Sequence, residues 1–125
     1  MNNLEKFIGS LPENEQELIF NEVDEWKNAL EREKCHASFM DYIRTMWPGF
    51  VAGRHHSLMA KKFEDIASGK IKRLIINMAP RHTKSEFASY LLPSWFLGKN
   101  PHKKVIQCSN TADLAVGFGR KVRNL

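Results

Sequence analysis

Four side chains able to do chemistry fall within five positions: Arg81, His82, Lys84 and Ser85. They belong to Met78-Ala79-Pro80-Arg81-His82-Thr83-Lys84-Ser85, which lies between an apolar run and a stretch of helical composition. A tight loop that delivers Lys-Ser to the start of a helix is the arrangement that binds phosphate. Backbone amides at the helix start point at the anion. The lysine neutralises β- and γ-phosphate charge, and the serine hydroxyl helps to hold Mg²⁺. Lys84 and Ser85 stand in those two places. The spacing GxxxxGK[ST] also calls for two glycines, and Met78 and Thr83 occupy both positions. A loop that needs a positive φ at position 83 would strain a threonine. By itself the pattern therefore also suits a basic turn whose lysine is merely solvated.

The elements that must position this loop follow from the hydrophobic pattern. Leu74-Ile75-Ile76-Asn77-Met78 is a short apolar run rich in branched residues, and it reads as a buried parallel strand. Ser85 to Leu92 reads as helix, with Pro93 placed to kink or end it. Gly98-Lys99-Asn100-Pro101 is a turn, and Lys104-Val105-Ile106-Gln107-Cys108 reads as a second strand. Ser109, Asn110 and Thr111 offer caps to a last helix, Ala112 to Val122. Leu74 to Cys108 then forms one strand–helix–strand unit. Upstream the chain reads as helix. Leu18, Ile19, Val23, Trp26 and Leu30 form one apolar stripe after Pro12, which suits a first helical turn. Further helices are expected over Ala37–Met46, closed by Trp47-Pro48-Gly49, and from about His55 to Ala67, closed by Ser68-Gly69. The expectation is an α/β chain: an all-helical segment over 1–50, then over 51–125 an incomplete parallel sheet of about two strands with a crossover helix.

Composition narrows the class. Over 125 residues, 42% hydrophobic and 26% charged side chains describe a soluble, foldable chain and argue against disorder. No apolar run is long enough to span a membrane, and MNNLEKFIGS, with Glu5, does not read as a secretory signal. The formal charge of +5 hides a division. Residues 1–34 hold 4 basic and 9 acidic side chains, net −5, whereas residues 35–125 hold 15 and 5, net +10. The basic part is the candidate for meeting polyanions. Cys35-His36 has no second pair at metal spacing, which argues against zinc, and Cys35 and Cys108 read as reduced thiols. Trp26, Trp47 and Trp95 read as core or interface residues. Gly117-Phe118-Gly119 follows no strand and is no dinucleotide fingerprint. Arg120, Lys121 and Arg123 read by default as a solvated basic helix end.

The segment from Met78 to Glu86 closely resembles the variant phosphate loop of tailed-phage terminase large subunits, which often reads Pro-Pro-Arg-His, then Gly or Thr, then Lys-Ser. The similarity covers about residues 40–125. It includes His55-His56-Ser57-Leu58 before the loop, Lys104 to Ser109 after it, and Ala112 to Ala115 with Arg120 to Leu125 beyond. Members of that family are ATP-driven motors that pump double-stranded DNA into a prohead, with a carboxy-terminal metal-dependent nuclease. The resemblance implies a P-loop ATPase fold, with ATP and Mg²⁺ as cofactors. It implies that Lys84 contacts the β- and γ-phosphates and that Ser85 ligates Mg²⁺. Arg81 would be the catalytic arginine that senses or stabilises the γ-phosphate. Pro80, His82 and Thr83 would complete the phosphate cradle. Arg54-His55-His56 lies where such motors often place an adenine-contacting segment, so His55 and His56 are candidates for the base, although helix-entry residues on a basic surface explain them as well. Ala79 replaces the commoner proline. Implied partners are the terminase small subunit and the portal protein, with a homo-oligomeric ring for the full-length protein and the host cytoplasm as its location.

Hydrolysis requires more. In the family a strand ending in Asp-Glu holds Mg²⁺ and orients the water, and here Asp113 is the sole side-chain carboxylate after Glu86. A motor sheet of about five strands needs roughly 130 residues, more than follow Arg73. The chain is thus expected to be the amino-terminal part of a longer enzyme or a truncated frame, and inactive as an ATPase in isolation. The alternative is a small basic nucleic-acid-binding or adaptor protein in which the Lys-Ser loop is incidental.

Overall fold

In the computed structural model, which describes residues 3–125, every regular element is helical. Met1 and Asn2 of the expected helical lead lie outside the described residues. Contacts divide the chain into residues 1–34 and 35–125.

The first unit holds α1 (Asn3–Gly9) and most of α2 (Glu13–Ala37). Pro12 starts α2 as anticipated: its carbonyl accepts from the amides of Glu15 and Gln16, both at 3.0 Å. Glu13 and Glu15 sit in the first turn, where carboxylates complement the helix dipole. The stripe falls on one face, but it is solvent-facing, and Trp26 is 81% exposed.

The second unit is organised around aromatic rings. α3 (Phe39–Met46) begins at Ser38, whose hydroxyl accepts from the Asp41 amide at 3.2 Å. The Phe39 amide donates to Glu64 Oε1 at 2.9 Å, so α4 (Arg54–Ala67) helps to cap α3. Gly49 and Gly69 take φ of 80° and 77° just past these helices, where the chain turns away. Phe39, fully buried, contacts Phe63, Phe87 and Trp95 at ring separations of 5.6, 6.0 and 5.2 Å. Ile43, Met59, Ala60 and Leu91 complete the core. Trp95 is thus a core residue, and its indole donates to the Cys35 carbonyl at 2.7 Å. Trp47 is 36% exposed.

The helix after the loop is not uniform. Glu86–Leu91 is π-helical and passes directly into α5 (Leu92–Lys99). The Leu92 amide donates to the Phe87 carbonyl five residues back. This wider turn lies just before Pro93, which has no N–H to give the Ser89 carbonyl and whose ring would crowd it in a regular α-turn. Gln107 Nε2 donates to that carbonyl instead. Pro93 therefore widens the helix without ending it. α6 (Ala112–Arg123) starts at Thr111, whose hydroxyl accepts from the Leu114 amide at 3.4 Å.

The parallel sheet is overturned. Among the described residues there is no strand, and no backbone hydrogen bond joins 74–78 or 104–108 to another segment. Residues 74–78 alternate partly buried and exposed side chains, as an extended backbone does, but an extended run becomes a strand only when a partner takes its amides and carbonyls. Leu74, Ile76 and Met78 pack against the core, whereas Ile75 is 85% exposed. Ile106 is 89% exposed, and a cavity of about 400 Å³ lies against this second run, lined in part by Leu92, Phe96, Val105 and Phe118. A buried parallel strand would cover both faces, whereas 74–78 covers one and 104–108 has only Gln107 partly buried. Among the described residues the regular structure is all helical, and the two apolar runs are unpaired connections. No helix among the described residues is long and apolar enough to cross a membrane.

Candidate functional site

The extended run from Leu74 delivers the loop, and Lys84 opens the helix that leaves it. The Thr83 carbonyl accepts the first helical bond, from the Phe87 amide at 3.0 Å. The amides of Lys84, Ser85 and Glu86 are thus the first-turn donors that a helix leaves without internal acceptors. Two non-glycine residues of the loop have positive φ: Arg81 at 64° and Thr83 at 57°. Alternation of left-handed residues with their neighbours turns successive amides to one side, the geometry of an anion nest. The conflict posed by threonine at the second glycine position is real, since Thr83 does adopt the conformation glycine would take there.

Hydrogen bonds within the loop explain how it is held. His82 Nδ1 lies 2.8 Å from the Pro80 carbonyl, which can only accept, so this nitrogen carries the proton. The Thr83 hydroxyl donates to the His82 carbonyl at 2.7 Å. Lys84 Nζ folds back toward the Met78 carbonyl at a long 3.5 Å, across the span of the loop. Arg81 and Ser85 are exposed, which leaves a guanidinium and a hydroxyl facing solvent on either side of the lysine.

His55 and His56, the candidates for the base, are brought to the loop in different ways. His55 packs against His56 at 3.8 Å and meets the His82 ring edge-on at 5.8 Å. Its Nε2 is buried and has no hydrogen-bond partner among the described residues. His56 is 7% exposed and packs against the rings of Phe50 and Phe87, at 4.9 and 5.1 Å. Its Nδ1 accepts from the Gly53 amide at 2.8 Å, and its Nε2 lies 2.7 Å from Thr83 Oγ1. Burial, and then the nearby His55 and His82, push its pKa below the ordinary 6.5. The reading of Arg54-His55-His56 as surface helix-entry residues holds for exposed Arg54 and fails for His56. One signal could have found this: His56 is the third helical residue after Gly53, where a side chain can reach back to the capping amide. The carbonyls of Met78 and Pro80 carried no sequence signal.

The donor set suits part of a Mg²⁺–nucleotide site. First-turn amides, Lys84 and Arg81 match phosphate oxygens, and the Ser85 hydroxyl is a hard oxygen ligand for Mg²⁺. Bound Mg²⁺ would supply charge neutralisation at the phosphates. The nearest carboxylate in sequence, Glu86, is engaged by Lys121 at 3.1 Å. Lys121 of the basic helix end is therefore paired, not simply solvated. Among the described residues no group of three or more His, Cys, Asp or Glu side chains is arranged to hold a metal ion. No protein-family model, curated protein or solved structure matches the chain.

Proposed function

We propose that the loop from Met78 to Ser85 binds the phosphates of ATP with Mg²⁺, and that the chain supplies this loop to a DNA-packaging ATPase of the terminase large-subunit type. The observation that carries the reading is Thr83 at φ 57°, immediately before Lys84. Such a conformation costs a β-branched residue of order 1–2 kcal/mol, and strain of this kind persists where the surroundings impose it. It stands at the position where phosphate loops place glycine, followed by the lysine and serine that the chemistry requires. In this role Lys84 neutralises the β- and γ-phosphates, Ser85 ligates Mg²⁺ and Arg81 faces the γ-phosphate. Pro80 and His82 fix the turn. Double-stranded DNA, a terminase small subunit, a portal protein and further copies in a ring are the corresponding partners, in the host cytoplasm.

The test is calorimetric titration of the chain with Mg²⁺–ATP, pyrophosphate and AMP. ATP and pyrophosphate are expected to bind and AMP not. Lys84→Ala should weaken ATP by about tenfold or more, the scale of one charge-assisted contact. Duplex-DNA binding that falls with salt and ignores both nucleotide and Lys84→Ala would favour the small basic nucleic-acid-binding protein instead.

A further inference from the structure

We infer that His56 is a positioning residue of this loop, holding Thr83 in the left-handed conformation that a glycine would adopt unaided. The inference rests on the phosphate-binding reading, and it assigns His56 a task other than contact with the base.

The direction of each bond is determined. The Gly53 amide can only donate, so His56 Nδ1 accepts and, in the neutral ring, Nε2 carries the proton. Nε2–H therefore donates to Thr83 Oγ1, whose own proton goes to the His82 carbonyl. The series runs Gly53, His56, Thr83, His82, with each donated proton used once and Thr83 Oγ1 both accepting and donating. Both ring nitrogens of His56 are committed, and the rings of Phe50, Phe87 and His55 pack around it. It has no free polar edge to offer an adenine.

The anchor is rigid at its base. His56 belongs to α4, whose Met59, Ala60 and Phe63 lie in the core. Gly53 permits the arrangement: a Cβ there would stand 2.9 Å from His55 Cε1, so a side chain would displace the ring that covers the series. In a sheet-based phosphate loop the preceding strand is fixed by its neighbours. Here the run before the loop has no paired neighbour, and the bond from α4 takes over that duty.

The experiment measures Mg²⁺–ATP and pyrophosphate affinity for wild type, His56→Ala, Thr83→Val, Thr83→Gly and His56→Ala/Thr83→Gly. Thr83→Val keeps the branched shape, removes the acceptor and leaves His56 in place. Either His56→Ala or Thr83→Val is expected to weaken binding about tenfold. With glycine at position 83 no tether is needed, so adding His56→Ala should change affinity less than about twofold. Equal losses from His56→Ala in both backgrounds, unaltered binding by Thr83→Val, or loss of binding by Thr83→Gly alone would each overturn the inference. A nucleotide-independent readout is the three-bond coupling between amide and α-proton of residue 83. It should report the left-handed φ in wild type and change in Thr83→Val. If wild type binds no phosphate compound while this coupling behaves as expected, the phosphate reading falls and the tether stands. An unchanged coupling removes the tether whatever the nucleotide does.

Discussion

His56 Nε2 donates across 2.7 Å to Thr83 Oγ1, so a threonine with left-handed backbone is tied to a core helix 27 positions earlier in the chain. The Nε2–H donates in the neutral and the charged ring alike, but the bond from the Gly53 amide to Nδ1, which fixes the ring, exists only while His56 is neutral. A second proton would sit on Nδ1 and face the Gly53 N–H, two donors against each other.

Acid should therefore loosen this unit. The folded pKa of His56 lies below the ordinary 6.5, chiefly through burial. Between those two values the unfolded chain binds the proton more readily than the folded one. Stability from this group is fully present above about pH 6.5 and is lost as pH falls through the depressed folded value. Urea midpoints measured from pH 8 to 5 should decline on the acid side, and His56→Gln should flatten that decline. The same variant should cost about 1 kcal/mol near neutrality, the net worth of one hydrogen bond. Equal acid slopes in the two proteins would count against the role of His56.

Binding and folding should separate at Lys84. Its ammonium makes a long contact, to the Met78 carbonyl, and among the described residues it forms no ion pair. Lys84→Ala is expected to shift the urea midpoint by the equivalent of about 0.5 kcal/mol or less. Its effect on Mg²⁺–ATP should be far larger. A variant as unstable as it is unable to bind would show that the lysine serves the fold.

Phe39 is the residue on which the core turns. Three aromatic rings from α4, the π-helical segment and α5 meet it within 6.0 Å, and it is fully buried. Phe39→Ala should cost about 3–5 kcal/mol, a large share of what a unit of this size possesses. Near-ultraviolet circular dichroism should lose the Trp95 signal while far-ultraviolet helicity persists in α2. Retention of a cooperative transition near the wild-type midpoint would contradict this account of the core.

Pro93 and Gln107 should be coupled. Gln107 donates to the Ser89 carbonyl, to which Pro93 has no N–H to give. Gln107→Ala is expected to cost about 1–2 kcal/mol. Combined with Pro93→Ala, which restores an amide within reach of Ser89, the same change should cost less than half as much. Strict additivity in chemical denaturation would mean that the two residues act independently.

The helices were legible because their signals are local. Pro12, Gly69 and Thr111 each act on the turn beside them, and the ends of α3, α4 and α6 fall within a residue or two of those expected, whereas the helix after the loop runs on past Pro93 to Lys99. The strands were not legible, because composition speaks only to φ and ψ. Leu74-Ile75-Ile76 favours an extended backbone and obtains one, but pairing depends on a distant segment, and 104–108 does not come alongside. The loop divides in the same way. Lys84 and Ser85 opening a helix could be read from spacing, and the strain at Thr83 could be named as a condition. That His56 would meet it could not, since the bond depends on how α4 packs against the loop. The π-helical turn before Pro93 was visible only as a proline placed to kink or end its helix.

The unpaired runs at 74–78 and 104–108 separate two properties that usually travel together. The side chains of Leu74, Ile76 and Met78 are seated on the core, while the backbone amides between them have no protein acceptor. In deuterium solvent the segment leading to the loop should exchange its amide protons at close to the rate of an unfolded peptide, while its methyl groups stay as ordered as the interior. The approach to the phosphate loop is thus anchored mainly by its side chains, and the hydrogen-bonding capacity of its amides is left unspent.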